Sequence, residues 1–312
     1  LHLVDDSGGV RSLAEFGIVF LMFSIGLEFS LPRLFAMQRI VFGLGLLQVL
    51  TALGAALGIA LLFGLSWQAG VALGGALAMS STAVLVKLLG ERLELDAPHG
   101  REVIGVLLFQ DLAVVPLLVL IPAFAQPPEK LAFMLGLAGV KAVVLLAIVL
   151  FFGKRLMSRW FYFVARGKSA ELFMLNVLFV TLSLAWLSEM AGLSLALGAF
   201  LAGMLISETE YRHQVEEDIQ PFRDILLGLF FVTVGMLLDI RLVLANFFVV
   251  LGVLAALLGI KFGLAFALSR LFGSGTGSAM RSGLWLCAGG EFGFVLLAEI
   301  WEARLASPGV VQ

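Results

Sequence analysis

Apolar runs of about twenty residues recur along this chain from about Leu13 to about Trp301, and a run of that length is what a helix needs to cross the hydrocarbon of a bilayer. The runs leave no room for a soluble domain. Composition agrees: 61% of the 312 residues are apolar and 13% are charged, where an ordinary soluble domain carries roughly 25% charged residues. A water-soluble globule is excluded.

Breaking the runs at charge clusters and at Gly/Pro punctuation gives ten expected helices, over residues 12–31, 40–64, 68–90, 102–124, 131–153, 171–191, 193–208, 222–240, 243–269 and 279–302. The seventh is short and interrupted by glycine. Loops after the odd-numbered helices carry fourteen Lys and Arg residues, from Arg33 to Arg281, and the opposite side carries four, Arg11, Lys130, Arg241 and Arg304. The positive-inside rule makes the first set cytoplasmic and turns the start of the sequence outward. Cys287 lies in an apolar segment, so no disulfide framework is expected and the thiol reads as a packing residue. The net charge of −2 and the absence of a basic patch give no reason to expect a nucleic-acid partner. No HExxH, nucleophile elbow, paired-cysteine metal site or phosphate loop occurs, so no enzyme and no cofactor is expected.

Compared with itself, the chain repeats at an offset of 209 residues: Phe20-Leu-Met-Phe-Ser-Ile-Gly26 resembles Leu229-Phe-Phe-Val-Thr-Val-Gly235, and Ala78-Met-Ser-Ser-Thr82 falls on Cys287-Ala-Gly-Gly-Glu291. The first pair lies on the first and eighth expected helices, an odd separation, so the halves run in opposite directions. Inverted repeats with small-residue breaks at matching positions point to a secondary transporter whose site lies near the bilayer midplane. The same offset leaves the sixth and seventh helices without partners before residue 1 and carries Asp111 to about position 320. Residues 1–312 are therefore expected to form one transmembrane exchanger domain lacking its first helices and its last, with no soluble regulatory domain.

Asp111 and Gln110 fall in the middle of the fourth apolar run. An ionised carboxylate at that depth costs roughly 2.5–3.5 kcal/mol on the lenient insertion scale, so it lines a cavity or has a partner. The bland alternative is a buried Asp tying two helices together. Burial favours the protonated form and a bound cation favours the ionised one, so proton and metal ion compete for one group. That competition is the minimum an antiporter requires. Gln110 adds a neutral carbonyl ligand. Ser80, Ser81 and Thr82 sit where the third helix is expected to break, and their hydroxyls with freed carbonyls can replace part of an alkali ion's hydration shell. Lys261 in the ninth helix and Glu291 beside Gly289, Gly290 and Gly293 in the tenth are supporting charges, either structural ion-pair partners or transport residues. Lys261 is expected near the crossing, bonded to hydroxyls, carbonyls or Glu291 in preference to Asp111. Lys141, Glu28 and Glu189 are weaker candidates. The segment from Ser207 to Phe222, with Glu216, Glu217 and Asp218, reads as an acidic cytoplasmic loop, either merely solvated or a docking surface for a regulatory domain.

Phe109-Gln-Asp-Leu-Ala-Val-Val-Pro116, Ala78-Met-Ser-Ser-Thr-Ala83, Ala199-Phe-Leu-Ala-Gly203, Glu217-Asp-Ile-Gln-Pro-Phe222, Gly228-Leu-Phe-Phe-Val-Thr-Val-Gly-Met236 and Gly290-Glu-Phe-Gly-Phe294 occur in this order. Together they resemble the membrane domain of Kef-type glutathione-regulated potassium/proton antiporters, in the second monovalent cation/proton antiporter family. The resemblance implies an all-α inverted-repeat antiporter fold, in which a core with two crossing discontinuous helices moves against a dimerisation domain. It implies a homodimer in the inner cell membrane, and potassium and proton as substrates, with potassium held at Asp111. The Gln110-Asp111 pair implies the potassium-type branch, since sodium-type electrogenic relatives carry Asp-Asp, and a single carboxylate suggests one-for-one electroneutral exchange. In Kef systems the acidic loop contacts a cytoplasmic nucleotide- and glutathione-sensing domain. No GxGxxG occurs here. The competing readings are a sodium/proton antiporter of the same fold, a gated potassium channel and a membrane sensor that transports nothing.

Overall fold

The computed structural model describes residues 8–28, 35–125, 154–191, 194–237 and 240–305, with Phe133, Gly136 and Val140 between them. The expected fifth helix and Lys141 lie outside the described residues. The helices are α1 Gly8–Glu28, α2 Ile40–Leu62, α3 Trp67–Ala78, α4 Thr82–Glu91, α5 Pro98–Phe124, α6 Lys154–Ala165, α7 Ala170–Met190, α8 Leu195–Ser207, α9 Arg212–Leu237, α10 Ile240–Ala245, α11 Phe247–Leu271, α12 Thr276–Leu286 and α13 Glu291–Glu302. Among the described residues there is no strand. In hydrocarbon, a helix satisfies its own backbone polar groups where an open strand edge cannot. Four of these helices, α2, α5, α7 and α11, are long and apolar enough to cross a membrane, and α12 with α13, bent by 46°, makes a fifth if the pair is one span.

Local chemistry sets where the helices start. Ser66, Ser81, Ser169 and Ser194 each stand just before a helix and accept from the backbone N–H three residues on, at Ala69, Val84, Leu172 and Leu197. These bonds satisfy donors that the first turn leaves orphaned. Pro98 opens α5, where its missing N–H costs nothing.

The chain forms two compact units. The first comprises residues 1–30 and 128–238 and contains α1 and α6 to α9. Its centre is α8, in which every residue from Ala196 to Ile206 is buried. Glycine brings α1 and α8 to backbone contact: a Cβ on Gly26 would stand 2.1 Å from the Phe200 carbonyl oxygen, and one on Gly203 2.0 Å from that of Phe23. Small residues are what let membrane helices approach this closely and gain dispersion contacts. Arg223 of α9 donates to the Ser24 hydroxyl of α1 at 3.0 Å.

Two expectations for this unit need correction. Residues 154–165 were expected as a basic loop and instead form α6, which buries Phe161 and Val164 and packs the Phe161 ring against those of Phe173 and Tyr211. Its Arg and Lys side chains mask an amphipathic pattern that an apolar-run search passes over. Likewise Glu216, Glu217 and Asp218 lie within α9 and not in a loop. Val215 and Ile219, four apart, are buried beneath them, which is the helical spacing that holds the segment down. Asp218 is raised above the ordinary carboxylate range, first by burial and then by the adjacent Glu217.

The second unit comprises residues 31–127 and 239–312. It holds α2 to α5 and α10 to α13. Gly70 and Gly74 of α3 lie against Leu57, Ala60, Leu53 and Ala56 of α2. A buried cluster of Leu44, Leu85, Leu89, Val103, Val106, Leu107, Ala265, Leu268 and Leu286 joins α2, α4, α5, α11 and α12. The outer side of α11 is apolar and bare, with Phe248 83% exposed, as a lipid-facing helix requires. Each pair of segments related by the 209-residue offset falls inside one unit, α1 with α9 in the first and the two breaks in the second.

The glycine contacts give a direct test. Gly203→Val should lower unfolding stability in detergent by about 1–3 kcal/mol or more, because its side chain meets backbone that cannot move aside. Gly54→Ala, at a helical position with nothing within 4 Å, should be neutral or stabilise by about 0.5–1 kcal/mol. Equal melting temperatures for the two variants would show that the α1–α8 approach is not a tight one.

Candidate functional site

Both expected breaks are present and they cross. α3 ends at Ala78 and α4 begins at Thr82, with Met79 and Ser81 in extended conformation. α12 ends at Leu286 and α13 begins at Glu291 after an extended Gly290. A Cβ on Gly290 would stand 2.4 Å from the Ser80 carbonyl carbon and 2.6 Å from the Ser81 nitrogen, so only glycine fits where one break passes over the other.

An interrupted helix frees backbone groups that hydrocarbon cannot satisfy, and here three side chains satisfy them. The Lys261 ammonium, 4% exposed, donates to the Met79 carbonyl at 2.7 Å, the Ala288 carbonyl at 2.8 Å and the Ser80 hydroxyl at 3.3 Å, joining the two breaks through one cation. Ser80 Oγ donates to the Leu286 carbonyl at 2.8 Å. The third is Gln110, whose Oε1 accepts from the Ser80 N–H at 2.8 Å while Nε2 donates to the Ala78 carbonyl at 3.0 Å and to Gln48 Oε1 at 2.9 Å. Lys261 bonds as expected, to carbonyls and a hydroxyl.

Asp111 lies near the middle of α5, 6% exposed, and its Oδ1 accepts from Thr82 Oγ1 at 2.8 Å. Thr82 is the first residue of α4, so the carboxylate stands at the positive end of a half-helix, where a negative charge is favoured. Glu291 occupies the first turn of α13, the corresponding half-helix start. The structure therefore sorts the sequence candidates into two groups. Thr82 and Asp111 meet each other, with Ser81 capping the helix that carries Thr82. Ser80, Gln110 and Lys261 meet in the break itself. Sequence reasoning missed Gln48, which with Thr51 is one of two polar residues in the apolar α2; its amide in mid-run was the signal for it. Glu28 and Glu189 belong to the other unit.

Ammonium donors to buried acceptors are worth roughly 1.5–3 kcal/mol each before any compensation. Lys261→Gln should thus lower stability by about 1–3 kcal/mol, read as an earlier melting transition, and should change ion preference less than it changes stability. A variant of unchanged melting temperature with switched ion preference would overturn this role.

A family model described as sodium/hydrogen exchanger, transmembrane, matches residues 1–308. The chain is 46% identical over 316 residues to K(+) efflux antiporter 1, chloroplastic, of Arabidopsis thaliana, covering 99% of this chain and 26% of that protein. To K(+) efflux antiporter 2, chloroplastic, of the same plant it is 45% identical over 317 residues, 99% of this chain and 27% of that protein. A third relative, of Alkalimonas amylolytica and named KefB, is 44% identical over 307 residues, 96% of this chain and 45% of that protein. The chain thus spans between about a quarter and just under half of the length of these relatives.

Proposed function

The chain belongs to the sodium/hydrogen exchanger transmembrane family, and from that premise we propose that it is a multi-pass membrane antiporter exchanging a monovalent cation, potassium, for protons at Asp111. The observation that carries the reading is a buried carboxylate seated at the start of a half-helix, where two broken helices cross. Protonated, Asp111 is neutral and tolerable in the apolar core. Ionised, it holds a cation whose charge it balances, while Thr82 and the positive end of α4 favour the charged form. Empty and ionised, it is penalised by burial. A cycle that moves only the two neutral states carries one proton one way and one cation the other. Such exchange is one-for-one and electroneutral.

Potassium is favoured by the three relatives, each named for potassium efflux or as KefB. Gln110 supports the single-carboxylate count, because its carboxamide braces the break next to Asp111 and adds no charge there. Sodium is the second reading, and the family description, a sodium/hydrogen exchanger, is what favours it. A glutathione- or nucleotide-sensing partner acting on the acidic start of α9, as in Kef systems, belongs to the same proposal, as does assembly into a homodimer.

The test is proton flux in proteoliposomes driven by potassium or sodium gradients. Wild type should exchange with potassium in preference to sodium without generating a membrane potential. Asp111→Asn keeps the shape and removes a charge worth about 3 kcal/mol at this depth. It should cut coupled flux by about 100-fold or more while the protein stays folded. Wild-type flux in that variant, or potassium flux uncoupled from protons, would refute the assignment.

A further inference from the structure

In the first unit, α6 carries a face that the packing of that unit leaves uncovered. Residues 154–168 contain Lys154, Arg155, Arg159, Arg166 and Lys168 and no Asp or Glu. Because a helix turns by about 100° per residue, the side chains of α6 fall into three stripes. Phe161 and Val164 are buried with Met157 half-buried beside them, and the Phe161 ring packs on those of Phe173 and Tyr211. Leu156, Trp160 and Phe163, four and three residues apart, are all exposed, Phe163 by 75%. Arg155, Arg159 and Arg166 are exposed along a third line, within about 40° of one another.

The exposed apolar stripe lies between the buried face and the basic line, about 90° from the latter. In water it would leave three large apolar side chains in a row unburied. A helix lying in the plane of a membrane surface instead places such a stripe against acyl chains and its basic line among the headgroups. Tyr162, also exposed, borders the basic line: Arg166 Nη2 donates to its hydroxyl at 3.0 Å, and the guanidinium stands 4.7 Å from the ring centroid. Amphipathic Trp and Tyr rings are the side chains that settle at headgroup level.

Residues 166–169 join α6 to α7, whose membrane-crossing stretch starts at Glu171. The helix therefore stands beside the end of a span, on the side where Lys and Arg are concentrated. By the positive-inside rule that side is cytoplasmic, and its leaflet carries the anionic lipid that attracts Lys and Arg next to a span. The charges are not already neutralised: among the described residues, no Asp or Glu pairs with Arg155, Arg159, Arg166 or Lys168. Glu171, the next acid along the chain, accepts from Ser169 Oγ at 2.8 Å at the start of α7. A second copy of this face would set basic residues against basic residues. An anionic lipid layer, already present at the end of α7, matches the charge and covers the apolar stripe at once.

We propose that α6 lies in the cytoplasmic surface of the membrane as a binding site for anionic phospholipid, with Arg155, Arg159, Arg166 and Lys168 on the phosphate headgroups and Leu156, Trp160 and Phe163 against the upper acyl chains. The site belongs to the first unit, and neither it nor its test depends on exchange at Asp111.

Two measurements on the purified full-length protein test this. The first is the lipid retained in detergent from an equimolar mixture of phosphatidylglycerol and phosphatidylcholine with the same acyl chains, read by native mass spectrometry. Each Lys or Arg near an anionic surface strengthens binding about five-fold, so wild type should retain phosphatidylglycerol in excess, and Arg155→Gln, Arg159→Gln and Arg166→Gln together should lower that excess by about ten-fold or more. Inorganic phosphate, against chloride at the same ionic strength, should not displace the lipid; displacement would make this a site for free phosphate and overturn the proposal. The second measurement needs only the conservative Trp160→Phe, and it carries the test if the triple variant does not fold. In nanodiscs of the same mixture with one lipid brominated on its upper acyl chain, the emission that distinguishes wild type from Trp160→Phe should be quenched more strongly when phosphatidylglycerol carries the bromine than when phosphatidylcholine does. An unchanged lipid excess in the triple variant, or equal quenching by the two lipids, would remove the headgroup preference and with it the proposal. An unquenched Trp160 would mean that protein covers the face, whether a second copy or an acidic partner, and would overturn it as well.

Discussion

The second unit depends on keeping two interrupted helices satisfied where no water is available. Four freed carbonyls, at Ala78, Met79, Leu286 and Ala288, and one freed N–H at Ser80 all find side-chain partners within the unit. Lys261, Ser80 and Gln110 supply those partners, and each contacts more than one backbone group or break. A charged donor that reaches both breaks at once suits this task, because bonds from an ammonium are stronger than neutral ones and can fan out in several directions. The glycine at 290 is the steric counterpart of the same arrangement, since the two breaks come together too closely for any Cβ.

With the breaks satisfied from within, the half-helix start at Thr82 is left facing Asp111. The division of labour between neighbouring residues follows from helical geometry. Gln110 and Asp111 are adjacent, so their side chains leave α5 about 100° apart; one braces α3 through Ala78 and Ser80, and the other meets α4 through Thr82. A carboxamide suits the first position because it donates and accepts at once. A carboxylate suits the second because it accepts from the Thr82 hydroxyl and stands at the positive end of α4.

Glu102 shows the same physics at the other end of the helix. Its partners are the hydroxyls of Ser269 and Ser282, which hold its side chain against α11 and α12. Leu44, Val106, Ala265, Leu268 and Leu286 lie between Gln48 and the hydroxyls of Ser269 and Ser282.

Much of this was legible in the sequence. Apolar run lengths determined the helices, because helix formation in hydrocarbon depends on local backbone satisfaction and not on distant partners. The offset of 209 residues located both breaks, and one acidic residue in mid-run located Asp111. Signals that depend on exposure were misread: α6 and the acidic start of α9 looked like loops because charge hid their helical spacing. Only the tertiary structure showed Gln48 bonded to Gln110, Lys261 spanning two breaks that lie far apart along the chain, and Glu102 held by serines that follow it by more than 160 residues. Local periodicity records which face of a helix is apolar. Which polar group on one helix meets which on another is decided by how the helices pack.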